Sequence, residues 1–136
     1  MKAYIDNIEY FVPENRLSND DLSKINPEWD VEKIFEKPGI SNRFIVDKNQ
    51  TATDLAISAA DKILGKNPEL KYLIDYVILC TQSSDYHLPT SACIIQERLG
   101  LRQSIGAIDV NQGCSGFVYS LGLAKGLIET KQATHV

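Results

Sequence analysis

The 136-residue sequence has no apolar run long enough to span a bilayer, no cluster of Lys and Arg, and few cysteines. The first absence argues against a membrane-spanning helix. The second, with a net charge of −4, argues against nucleic acid as the main partner. The three cysteines, Cys80, Cys93 and Cys114, form neither a CxxC motif nor a metal-ligand spacing. Being odd in number and well separated, they read as reduced thiols and not as a disulfide framework. Histidine is equally scarce: His87 and His135 are the only two, and His87, close to Pro89, reads as a loop residue. Neither a metal site nor a tightly held cofactor is indicated. The opening residues MKAYIDNIEYFVPENR contain no signal-peptide core, because Asp6, Asn7 and Glu9 interrupt it. A cytoplasmic protein is the simplest expectation.

What is present suffices for one domain with a real core over residues 1–136, since 43% of the residues are hydrophobic. Strand and helix patterns alternate along the chain. Residues 2–11, with Ile5, Ile8 and Tyr10, predict a strand closed by Pro13. Ser18 followed by Asp21 predicts a capped helix through Ile25, ended by Pro27. Residues 30–37 predict a second helix, and 41–46 a short strand after the Pro38-Gly39 break. Thr51 opens a helix whose apolar stripe is Leu55, Ala56, Ala59, Ala60, Ile63 and Leu64, with Gly65 as its expected cap. YVILCT (76–81) has the continuous apolar character of a strand covered on both faces. A helix from Thr90 to Leu99 and a strand over 105–110 follow. This order predicts parallel β-α-β units and an α/β fold. Residues 132–136 read as a turn entering a further strand, so the chain is expected to be a piece of a longer protein.

The most informative stretch is IDVNQGCSGFVYSL (108–121). An apolar strand ends there at a glycine-flanked corner, and an apolar helix pattern begins and runs to about Thr130. A cysteine at a strand-to-helix corner lies where free backbone N–H groups and the helix dipole stabilise a thiolate. Gly113 and Gly116 remove side-chain bulk on either side of Cys114, which allows close approach of a substrate. The arrangement resembles the nucleophile elbow of hydrolases, with sulfur replacing oxygen. Asp109, at the strand end, is expected to orient loop backbone and not to act as an acid or base. Cys80 and Cys93, in apolar surroundings, are expected to be buried and structural. Arg43 is expected to form a structural ion pair.

Three segments, in order, resemble the β-ketoacyl-acyl carrier protein synthase III family of thiolase-like condensing enzymes. DVNQGCSGFVYSL (109–121) is similar to that family's nucleophile segment, Asp-Val-x-x-Ala-Cys-Ser-Gly-Phe-x-Tyr-x-Leu. KPGISNRFI (37–45) resembles its Arg-Thr-Gly-Ile-x-x-Arg element, and LPTSACIIQERLGL (88–101) its Phe-Pro-Ser-x-Ala-x-x-Ile-Gln-x-x-Leu-Gly element. The resemblance implies the N-terminal half of a thiolase-like fold, a mixed and mostly parallel sheet with helices on both faces. It implies that Cys114 accepts an acyl group from acyl-CoA. Malonyl on an acyl carrier protein then condenses with that group, as in fatty acid biosynthesis. The Cys114 amide is expected to help hold the oxyanion.

By the same resemblance, Trp29 packs against the CoA adenine and Lys37 flanks the CoA entrance. Leu88 takes the place of an apolar residue, often Phe, that reaches into the partner subunit's acyl pocket. Lys37 keeps the charge of the usual Arg but lacks its bidentate fork. The family works as a dimer, and a His and an Asn from its C-terminal half assist decarboxylation. This chain holds no such segments, so on its own it is expected not to complete the reaction. Gln112-Gly113 before the cysteine resembles a branch whose members pass acyl groups to other acceptors, which keeps ester or amide formation open as an alternative. A non-catalytic pairing fragment is the other.

Overall fold

The Ser18–Asp21 capping signal acts as the sequence implies and opens a helix. The structure, a computed structural model, describes residues 2–36 and 38–136. These fall into two units, Val12–Gln50 on one hand and the segment before Val12 with Thr51–Val136 on the other.

In the 12–50 unit, β1 (Asn15–Ser18) leads directly into α1 (Asn19–Ile25). The Ser18 hydroxyl accepts from the Asp21 amide while the Asp21 carboxylate accepts from the Ser18 amide, a closed capping box. The Ser18 hydroxyl and amide, with Lys24 alongside, pull the Asp21 carboxyl down to about 2. α2 (Val31–Glu36) follows, and β2 (Asn42–Ile45) pairs antiparallel with β1, Asn15 facing Ile45 and Ser18 facing Asn42. Strand β1 is not evident in the sequence, because Pro13 and Glu14 mask its start. Asn19 is buried, and its polar atoms find partners. Its side-chain amide donates to the Ile40 carbonyl at 3.0 Å, and its oxygen accepts from Arg43 at 2.7 Å. Arg43 thus bonds a neutral amide and not the carboxylate of the expected ion pair.

In the larger unit, α3 (Ala52–Lys66) carries a second capping box, between Thr51 and Asp54. Its C-terminal cap is Asn67, with Gly65 inside the last turn, so the helix runs past the glycine expected to stop it. Gly65 is tolerated there because its backbone remains helical and bonded. After a single turn, α4 (Leu70–Leu73), strand β3 (Tyr76–Cys80) pairs in parallel with β4 (Gly106–Val110). Between them lies α5 (Ser91–Arg98), and after β4 comes α6 (Gly116–Glu129). The β3-α5-β4 order is the predicted parallel crossover.

Alternation along β3 sends Val77 and Leu79 to one face and Ile78 and Cys80 to the other. Val77 and Leu79 pack against the core made by Ile57 of α3, Ile95 and Leu99 of α5, and Leu101. On the opposite face α6 approaches Cys80 so closely that a Cβ on Gly116 would lie 2.5 Å from the Cys80 sulfur. Helices therefore cover both faces of the strand pair. The two faces differ in closure: α5 buries Ser91, Ala92 and Ile95, whereas α6 buries only Gly116.

Residues 2–11 form no strand, contrary to the sequence expectation. Their backbone has no ladder partner among the described residues. Side chains of α3 hold them instead. The Lys62 ammonium donates to the Tyr10 carbonyl at 2.8 Å and lies 5.4 Å from the Tyr10 ring centre. Lys66 pairs with Glu9. At the other end of the chain Asp75 gathers the amides of Thr134 and His135 and the Thr134 hydroxyl, and its own amide donates to the His135 carbonyl. Among the described residues no helix is long and apolar enough to cross a membrane.

Candidate active site

Cys114 sits in a tight turn between β4 and α6. The Gly116 amide closes that turn on the Gly113 carbonyl at 2.8 Å. The side chain is exposed, whereas Cys80 and Cys93 are half-buried and not fully enclosed as their apolar neighbours suggested. Ser115, at the N-cap of α6, makes no side-chain cap. Among the described residues the Cys114 and Ser115 amides donate to no protein acceptor. A thiol with open access thus stands beside unpartnered N–H groups at the start of a 14-residue helix.

The two glycines flanking the corner serve different ends. Gly116 is required by packing, because a Cβ there meets the Cys80 sulfur at 2.5 Å and Gln112 Cβ at 3.0 Å. Gly113 has room: the nearest atom to an added Cβ is the Gln82 side-chain oxygen at 3.7 Å. Gln82, two residues past the end of β3, therefore lies against the corner, a neighbour that sequence spacing does not reveal. The Gln112 side chain donates to the Ser115 hydroxyl at 3.3 Å and stiffens the same turn.

Leu88 lies on the loop joining β3 to α5 and is 83% exposed. Trp29 lies in the 12–50 unit on the turn after α1, 48% exposed, with its carbonyl accepting from the Ser23 hydroxyl at 2.8 Å. Lys37 lies outside the described residues. Cys114 and Leu88 share the larger unit, and Trp29 belongs to the other. An open depression of about 680 Å³ in the 12–50 unit is lined by Arg16, Asp20, Glu32, Phe35 and Asn42 among others, and not by Trp29, Leu88 or Cys114. Cys114 instead faces an open surface continued by the exposed α6 residues Phe117, Val118 and Tyr119.

Asp109 orients backbone, though at the head of α5 and not in a loop as its place at the strand end suggested. Its two carboxylate oxygens accept from the amides of Ser91 and Ala92, each at 2.8 Å.

Comparisons with known proteins bear on this geometry. Residues 108–136, which include the Cys114 corner, match the family model for 3-oxoacyl-[acyl-carrier-protein (ACP)] synthase III. Over 132 residues the chain is 38% identical to β-ketoacyl-[acyl-carrier-protein] synthase III 2 of Halalkalibacterium halodurans, an alignment covering 95% of this chain and 38% of that protein. It is 40% identical over 129 residues to β-ketoacyl-[acyl-carrier-protein] synthase III of Xanthomonas euvesicatoria, covering 93% and 38%. A crystal structure of a 3-oxoacyl-(acyl-carrier-protein) synthase III superposes with a TM-score of 0.88 at 50% identity, over 98% of this chain and 40% of that one. The Thermus thermophilus synthase III gives 0.82 at 30% identity, over 93% and 38%. The chain thus spans about two fifths of the length of the relatives it matches. The fold is thiolase-like.

Proposed function

From a chain that is β-ketoacyl-acyl carrier protein synthase III-like in sequence and thiolase-like in fold, we propose that it carries the acyl-accepting cysteine of a condensing enzyme. Cys114 is that acceptor. Its sulfur attacks the thioester carbon of an acyl-CoA; the new S–C bond forms as the C–S bond to CoA breaks, and CoA leaves with the thiol proton. Malonyl on an acyl carrier protein then loses carbon dioxide. The electron pair left behind forms the C–C bond to the acyl carbon, and the Cys114 thiolate is released. The free amides at the corner hold the oxyanion that develops on the acyl carbonyl.

The observation carrying this reading is the exposed Cys114 thiol on the Gly113–Gly116 turn, beside unpartnered amides at the head of α6. The likeness to synthase III supports the substrate classes, acyl-CoA and acyl carrier protein, and a place in fatty acid biosynthesis; a cytoplasmic setting is proposed with them. Trp29, Lys37 and Leu88 are assigned to substrate binding. The reaction as written needs no resident cofactor. The exposed row Phe117, Val118, Tyr119, Leu121 and Leu123 supports association, and a homodimer is the proposed state of the longer protein. The condensation as proposed also calls on a His and an Asn of the family's C-terminal half, so the reading concerns the full-length protein.

The test uses the full-length protein that carries this sequence. Malonyl-carrier protein and acyl-CoA should release carbon dioxide, and Cys114→Ser should abolish that release. Condensation surviving in Cys114→Ser refutes the assignment. Acyl transfer to an alcohol or amine without carbon dioxide release would instead identify the ester- or amide-forming branch, the alternative that Gln112-Gly113 before the cysteine keeps open.

A further inference from the structure

The loop bearing Leu88 hangs on the last two residues of β4. At its start, the Thr81 amide donates to the Val110 carbonyl at 3.2 Å. At its end, the Ser91 and Ala92 amides donate to the two Asp109 oxygens. Within the loop, the Asp85 amide donates to the Ser91 hydroxyl at 3.0 Å, so the Asp109 anchor extends inward by one further bond. Thr90, the N-cap of α5, offers no side-chain cap of its own. Its hydroxyl points to the Cys93 sulfur at 3.5 Å. A carboxylate from another element therefore takes the place of the local cap. Ser91 and Ala92 are fully buried, so water cannot replace it. The parallel register sets Asp109 beside Leu79, on the α5 face, which is why the carboxylate reaches these amides. The next five residues, 111–115, form the Cys114 corner.

We propose that Asp109 is a positioning residue for acyl transfer: by gripping the first two amides of α5 it sets where the Leu88 loop stands, and so, across the proposed homodimer, which acyl groups the acceptor thiol of the facing subunit takes. This rests on the reading of Cys114 as acyl acceptor and Leu88 as acyl-facing. The grip depends on two acceptor oxygens. Asparagine keeps the shape but turns one acceptor into an N–H donor facing an N–H donor, and it removes the negative charge at the helix head.

The experiment compares wild type, Asp109→Asn and Ser91→Ala in the full-length protein. Acylation of Cys114 by acetyl-CoA and by octanoyl-CoA is followed by intact mass. Alkylation of Cys114 by iodoacetamide is the control for the thiol itself. Asp109→Asn should change the acetyl-to-octanoyl rate ratio by about tenfold, the scale of one lost hydrogen bond to a charged group, with alkylation unchanged. Ser91→Ala, which keeps the amide cap but loses the Asp85 bond, should move the ratio the same way by about threefold. A melting temperature that falls while the ratio stays fixed in both variants reduces Asp109 to a structural cap and overturns the proposal. Alkylation falling in step with acylation places the defect in the corner, and also overturns it. Should Asp109→Asn fail to fold, the Ser91→Ala ratio decides. A wild-type protein that forms no acyl-Cys114 with either thioester defeats the acyl-acceptor reading first, a result distinct from acylation with unaltered selectivity.

Discussion

Helices α5 and α6 follow the two strands of one parallel pair, yet they are built for opposite purposes. α5 lies on the closed face. Ile95 and Leu99 enter the core with Ile57 and Leu101, and the head of the helix is sealed by Asp109. Arg98 near its end pairs with Asp54 of α3 at 2.6 Å. α6 lies on the open face. Among the described residues its head leaves the Cys114 and Ser115 amides without a protein acceptor, and Phe117, Val118 and Tyr119 are each more than 60% exposed. Occupied N–H groups and a filled core mark the stabilising side, while free N–H groups and a bare thiol mark the side proposed for chemistry. The difference shows how one strand pair separates stability from reactivity: the groups that would hold a substrate oxyanion at α6 are consumed by protein at α5.

The sharpest way to break this contrast is to truncate one residue on each face. Ile95→Ala should cost about 3 kcal/mol in urea unfolding, as for other buried aliphatic truncations. Val118→Ala should stay within about 0.5 kcal/mol. Equal losses would show that the open face is packed after all. Next in size is the glycine that joins the faces. Gly116→Ala should destabilise by about 2 kcal/mol through its clash with Cys80, and Cys80→Ala in the same chain should recover part of that loss. Gly113→Ala, with its nearest neighbour at 3.7 Å, should unfold like the unaltered protein.

The smallest expected effect concerns Asp75, at the base of β3 and outside both helix faces. The Thr134 hydroxyl and amide, then Arg102 and the His135 amide, hold its carboxyl well below the usual carboxylate range. The stability it contributes is full above the unfolded value of 3.8 and is lost as pH falls toward the lower folded value. Asp75→Asn should cost about 1 kcal/mol near neutrality and flatten the acid limb of the stability curve below about pH 4. An unchanged acid limb would show that residues 133–136 are not held by this carboxylate.

Much of this was legible in the residues themselves. Ser18 with Asp21 marks one capping box, Thr51 marks the start of α3, and the apolar runs 76–81 and 105–110 mark the parallel pair. The Cys114 corner was visible because glycines and polar residues interrupt an otherwise apolar stretch. Four features were not legible, each because it depends on a tertiary partner. Residues 2–11 look apolar enough for a strand, but strand formation requires a neighbouring edge, and no composition supplies one. Gly65 resembles a helix stop, yet Asn67 ends α3, because tertiary packing of the Ala56, Ala60 and Leu64 stripe outweighs the local preference. Asp109 could be expected to orient backbone, but its grip on Ser91 and Ala92, 18 and 17 positions away in the chain, follows only from the register of β4 beside β3. Gln82 beside Gly113 is hidden for the same reason.

The claim on which the rest depends is that the Cys114 sulfur is the group that takes up an acyl chain. Incubating the full-length protein with an acyl-CoA and mapping the adduct by peptide mass spectrometry tests it most directly. The account predicts one acyl group, on Cys114, removable by hydroxylamine and missing from Cys114→Ser. An acyl group on Cys80 or Cys93 instead, or none on any cysteine of a folded protein, would contradict it.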